Sequence, residues 1–76
     1  MGKLIPIKPK KLLKILTSLG FVERDAEGSH IFLRHSDGRT TTLPMHRKEL
    51  GVGLLRKILN DTNLTIDEYE ALRLRV

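Results

Sequence analysis

Three histidines and no cysteine stand in a chain of 76 residues. His30, His35 and His46 are therefore the side chains best suited to acid–base work near neutral pH, where imidazole titrates at ~6.5. Metal binding is a poor fit. His30 and His35 lie five apart on one expected strand and so point to opposite faces, whereas zinc ligands must converge at ~2.0–2.1 Å. No metal site and no cofactor are expected. Ser29 adjoins His30, but strand neighbours project apart, so no nucleophilic triad is expected. Gly51-Val52-Gly53 is too short for a phosphate-binding loop and lacks its Lys-Ser/Thr ending.

His30 remains as a single acid–base group, and that suits one reaction well. RNA carries its own nucleophile, the 2′-hydroxyl. Cleavage then needs a base, a proton for the leaving oxygen, and positive charge for the phosphorane-like transition state. A lone strand histidine also fits a structural or merely exposed role. His46, two residues after Pro44, fits a proton donor or a phosphate contact, and a structural role equally. Arg24, Arg34, Arg39, Arg47, Lys48, Lys57, Lys10 and Lys14 are candidates for RNA phosphates, and each also reads as ordinary surface charge.

The charge balance agrees with an anionic partner. Net charge is +5 and the sequence pI is about 10.0, which points first to nucleic acid. Lys3, Lys8, Lys10, Lys11 and Lys14 precede any acidic residue, while Asp61, Asp67, Glu68 and Glu70 gather late. The front and middle of the chain should hold the RNA footprint. The length suits one domain, residues 1–76, which is marginal alone and gains from a partner. No apolar run is long enough to span a bilayer and no signal peptide is evident, so a cytoplasmic location without membrane contact is expected.

The elements that must position these residues are legible as patterns. Residues 1–8, with Pro6, form an extended lead-in. Pro9 opens a helix to Leu19 whose Leu12, Ile15, Leu16 and Leu19 make one buried stripe, and Gly20 stops it. Phe21–Asp25 is expected as a strand, Ala26-Glu27-Gly28 as a turn, and Ser29–His35 as a second strand. Asp37-Gly38 reads as a two-residue hairpin turn before a third strand over Arg39–Leu43, ended by Pro44. Leu54, Leu55, Ile58 and Leu59 mark a helix opened by Gly53. Thr65 and Glu68 fit a capping box for a short last helix to about Leu72, with Ile66, Tyr69 and Leu72 docking on the body. Ile31 and Leu33 are expected to face the helices, and His30, Phe32 and Arg34 the other side; the reverse stays open because Phe32 is bulky. Phe32 on the open face would offer a base a stacking surface. The whole is an α+β fold, a three-stranded antiparallel sheet with helices on one face.

Leu19-Gly20-Phe21, Gly28-Ser29-His30, Asp37-Gly38-Arg39 and Leu43-Pro44-Met45-His46 occur in that order. Gly53-Leu54-Leu55-Arg56-Lys57-Ile58-Leu59 follows. The series resembles the HicA family of toxins over about Leu12 to Tyr69. The resemblance implies a double-stranded-RNA-binding-like α-β-β-β-α fold and a metal-independent mRNA interferase held in check by a HicB-type antitoxin. It maps the family's essential histidine onto His30 and its local motif onto Gly28 and Ser29. Leu54 stands where the family often has Thr, a change at the start of the second helix. Two other functions remain: a non-catalytic RNA-binding module of the same fold, and a scaffold whose open sheet serves protein contact alone.

Overall fold

Two Schellman-type stops fix the lengths of the main helices. In the computed structural model, which describes residues 4–76, α1 runs Pro9–Ser18. It ends where Phe21 N–H donates to Leu16 O and Gly20 N–H to Thr17 O, with Gly20 at φ 101°. That left-handed residue is what glycine supplies most readily. The second such stop ends α2, Val52–Asp61, with Asn63 at φ 56° in glycine's place. Leu64 N–H donates to Leu59 O and Asn63 N–H to Asn60 O there. The last helix, α3, spans Ile66–Arg73.

Between α1 and α2 lie β1 (Val22–Glu27), β2 (His30–Arg34) and β3 (Thr40–Pro44), an antiparallel meander in the order β1-β2-β3. The order α-β-β-β-α with a short extra helix is the double-stranded-RNA-binding-like architecture. The helix stripes build the core. Leu12, Ile15 and Leu16 of α1 and Leu55, Ile58 and Leu59 of α2 are buried with Leu33 and Leu43 of the sheet. Both helices contact β3, and α3 rests on α1. Leu33 is buried and Ile31 half-buried, while His30, Phe32 and Arg34 are exposed. The helices therefore cover the Ile31–Leu33 side and leave the other side of the sheet open. Lys10 and Lys14 are exposed on α1, as its periodicity requires.

The turns differ from the sequence expectation. β1 continues through Glu27, which pairs with His30, so the first turn is Gly28-Ser29 rather than Ala26-Glu27-Gly28. Gly28 has φ 61° while Ser29 stays on the ordinary side, the pattern of a type II′ hairpin. Ser29 belongs to this turn and not to the strand. The second connection has three residues, Ser36-Asp37-Gly38, because His35 N–H donates to Arg39 O and Gly38 N–H to His35 O. Gly38 takes the left-handed position at φ 101°, as a hairpin closed by a bulge requires. α2 starts one residue before Gly53, with Gly51 as a cap that makes no side-chain bond.

Residues of the lead-in are part of the body. Leu4 and Ile7 are buried, Leu50 N–H donates to Ile7 O at 2.8 Å, and Tyr69 donates its hydroxyl proton to Ile5 O at 3.2 Å. The first three residues of the expected lead-in lie outside the described residues. Tyr69 is fully buried and Ile66 and Leu72 are partly so, which is the docking anticipated for α3. Thr65 and Glu68 form the reciprocal capping box. The backbone N–H of Thr65 holds the Glu68 carboxyl below its ordinary range. Among the described residues no helix is long and apolar enough to cross a membrane.

Candidate functional site

The Gly28-Ser29 turn sets His30 at the first position of β2, on the open face of the sheet. A Cβ on Gly28 would meet nothing within 4 Å, so glycine is needed there for its positive φ and not for space. Across the sheet, His30 pairs with Pro44, the last residue of β3. Just beyond it, Met45 N–H donates to Ser29 O at 2.7 Å. That bond carries the chain back over the turn and brings His46 to the site.

The two histidines meet there. Their ring centroids are 5.5 Å apart with planes inclined at 56°, and His46 Nδ1 lies 3.2 Å from Ser29 Oγ. A serine hydroxyl both donates and accepts, so it serves either protonation state of that ring. With Nδ1 occupied, Nε2 is the nitrogen His46 presents to solvent. The segment beyond is anchored by the Leu50–Ile7 bridge. Ser29 and His30 thus form one exposed constellation with His46, which lies 17 residues beyond Ser29 in sequence.

His30 shares a depression of about 350 Å³ with Asp25, Glu27, Phe32 and Thr42. The register of β1 against β2 slips between Glu23 and Ala26. Arg24 and Asp25 therefore both stand across from Phe32, a β-bulge that adds local twist to this edge. A neighbouring depression on the same face is lined by Arg24 and Arg34 together with Val22 and His35.

His35 is a different kind of residue. Its Nε2 is 3.0 Å from Leu19 O, and its Nδ1 accepts the Asp37 N–H at 3.1 Å. Its ring meets Phe21 edge-on at 5.1 Å. It ties the end of α1 to the β2–β3 turn and points away from His30, as the spacing of five implied.

The basic candidates separate by what holds them. Arg39 donates to Asp37 at 2.8 Å and to Thr62 O, and its guanidinium lies over Phe21 at 5.2 Å. The Arg39 backbone N–H holds the Asp37 carboxyl below its ordinary range, aided by the charge and side-chain bond of Arg39. Lys57 pairs with Asp61 at 3.0 Å. These two are committed within the protein. Arg24 and Arg34 face the open side of the sheet, and Arg47 and Lys48 are exposed just after His46. Lys10 and Lys14 gather with Lys8 and Lys11 on the helix layer, away from the histidines. Among the described residues no three His, Asp or Glu side chains converge as a metal would require.

Sequence reasoning did not single out Asp25, Glu27 or Thr42. Alternation would have brought Glu27 beside His30 had the turn been placed at Gly28-Ser29.

An open sheet face carrying a histidine pair, backed by helices in α-β-β-β-α order, defines a small RNA-binding-type module with acid–base groups. The family model described as HicA toxin of bacterial toxin-antitoxin matches residues 9–64, and the chain belongs to that family. Comparison with curated proteins gives no match. Membership supports a toxin and RNA-binding role; toxins of this family pair with HicB antitoxins and act on RNA.

Proposed function

We propose that this chain is an endoribonuclease that cuts mRNA by activating the RNA 2′-hydroxyl, with His30 as general base and His46 as general acid. The observation that carries the reading is the pairing of two exposed imidazoles at 5.5 Å between centroids. His30 takes the proton of the 2′-hydroxyl, and the freed oxygen attacks the adjacent phosphorus. The bond from phosphorus to the 5′-oxygen breaks, and His46 Nε2–H gives that oxygen its proton. The products are a 2′,3′-cyclic phosphate and a 5′-hydroxyl. Arg24 and Arg34, on the same face, supply positive charge for phosphates along the strand. The two rings perform both proton transfers, so the reaction as written draws on no metal ion.

The partner in this reading is a HicB-type antitoxin covering the open sheet face. The decisive experiment is His30→Ala. Loss of a general base costs ~10²–10⁴-fold in rate, enough to separate a toxic from a tolerated protein. The variant should keep its fold and its antitoxin binding. Wild-type cleavage should persist in EDTA and leave cyclic phosphate ends. A folded His30→Ala protein cutting RNA at the wild-type rate would falsify the assignment.

A further inference from the structure

A site that handles polyanionic RNA on a protein of net charge +5 has no general electrostatic use for carboxylates. Yet Asp25 and Glu27 line the depression that contains His30. Among the described residues, the ion pairs involve other acids, Asp37, Asp61 and Glu70. The bulge aims Asp25 across from Phe32, whose ring is 37% exposed on this face.

Resting on the ribonuclease reading, we propose that this depression is a base-reading pocket selecting guanine at the nucleotide whose 2′-hydroxyl meets His30. An exposed aromatic face takes a base by stacking, whatever its identity. Identity comes from the edge. An ionised carboxylate only accepts hydrogen bonds, and does so with two oxygens side by side. Among the four RNA bases, guanine alone offers two adjacent N–H donors, N1–H and the 2-amino group, to match them. Adenine and cytosine offer one amino group beside a ring acceptor, and uracil one N–H between two carbonyls. Asp25, opposite Phe32, meets the edge of a base lying on that ring. Glu27, paired with His30, repels phosphate from this depression. The backbone is left to the Arg24 and Arg34 depression beside it, which divides base reading from phosphate positioning.

Chimeric oligonucleotides with one ribonucleotide in a DNA strand test this directly. The single ribonucleotide is G, A, C, U or inosine, which lacks the 2-amino group. Wild type should cut the G substrate about tenfold or more faster in kcat/KM than A, C or U, since a site built for hydrogen bonds discriminates strongly. Inosine should fall between. Asp25→Asn should erase the preference for G, bringing the rates on the four bases together. Phe32→Ala should slow all substrates, and Phe32→Tyr should restore them. All-DNA versions, which cannot be cut, should bind with the same preference for G.

Equal cleavage and equal binding of all bases by wild type overturn the proposal, as does an Asp25→Asn protein that keeps the preference. If Asp25→Asn keeps the preference but loosens the antitoxin, the pocket takes a cation from the protein partner instead. G-selective binding without any cleavage supports the pocket and removes the ribonuclease reading, so the two fail separately.

Discussion

His46 Nδ1 and Ser29 Oγ are 3.2 Å apart, so a turn residue next to one histidine orients the other. Ser29 touches no reacting atom in the proposed reaction and is a positioning residue. Ser29→Ala should lower kcat by roughly 10-fold and at most ~10²-fold, the scale of a misplaced catalytic group, with little change in KM. Ser29→Thr, which keeps the hydroxyl, should restore the rate. An alanine variant with the wild-type kcat removes Ser29 from the mechanism.

His35 should behave as a structural residue. Its ring bonds Leu19 O and the Asp37 N–H, and removing it leaves both unpaired at roughly 1–3 kcal/mol. Gly20→Ala should also destabilise, by more than ~1 kcal/mol. The new Cβ would sit 3.0 Å from His35 Nε2 at a φ of +101°. Denaturant titration should show lower midpoints for both variants, with cleavage per folded molecule unchanged. A catalytic defect without a stability defect in His35→Ala would refute this division.

The arginines should split in the same way. Arg34→Glu should weaken RNA binding similarly for all sequences and reduce its salt dependence, since a phosphate contact carries no base information. Arg39→Glu should first cost stability, because Arg39 binds Asp37, Thr62 O and the Phe21 face. Binding titrations at two salt concentrations, beside melting curves, separate the two. A stable Arg39→Glu protein with weakened RNA binding would reverse the roles.

Tyr69 makes the protein sensitive to alkali. Burial pushes its hydroxyl from 10.0 up to about 12. A group with a raised folded pKa stabilises fully below its unfolded value and loses that contribution as pH climbs through the folded value. Stability should therefore fall between about pH 10 and 12. Tyr69→Phe should flatten that fall, at a cost of ~0.5–1.5 kcal/mol at neutral pH for the lost bond to Ile5 O. Melting temperatures across that range decide it; a Phe variant with an equal alkaline loss would place the sensitivity elsewhere.

Legibility in the sequence followed the range of the interaction. The α1 stripe, the Gly20 stop, the capping box and the Ile31–Leu33 side are local periodicities, and they were readable. The turns were harder. Glu27 looks like turn material, but as an exposed edge residue it costs the strand nothing, and Gly28 fixes a tighter turn one step later. The bulge at Arg24 and Asp25 leaves no trace in composition because every residue of β1 is exposed. The meeting of Ser29, His30 and His46 was not readable as geometry. It depends on the Met45–Ser29 bond and on where Pro44 ends β3, and both are properties of register.

The hydrogen bond from Tyr69 to Ile5 joins residues 64 apart in the chain, and this separation sets an order of assembly. During synthesis the sheet bearing His30 emerges well before α3. The contact that ties Ile5 to α3 must wait until Tyr69 has left the ribosome, and among the hydrogen bonds of the described residues it closes the longest loop. Ile7, two residues from that contact, holds Leu50 and with it the segment that follows His46. The histidine pair is therefore assembled from the front of the chain but fastened from its back. In a toxin built this way, the fastening of the site is complete only once the last helix has emerged.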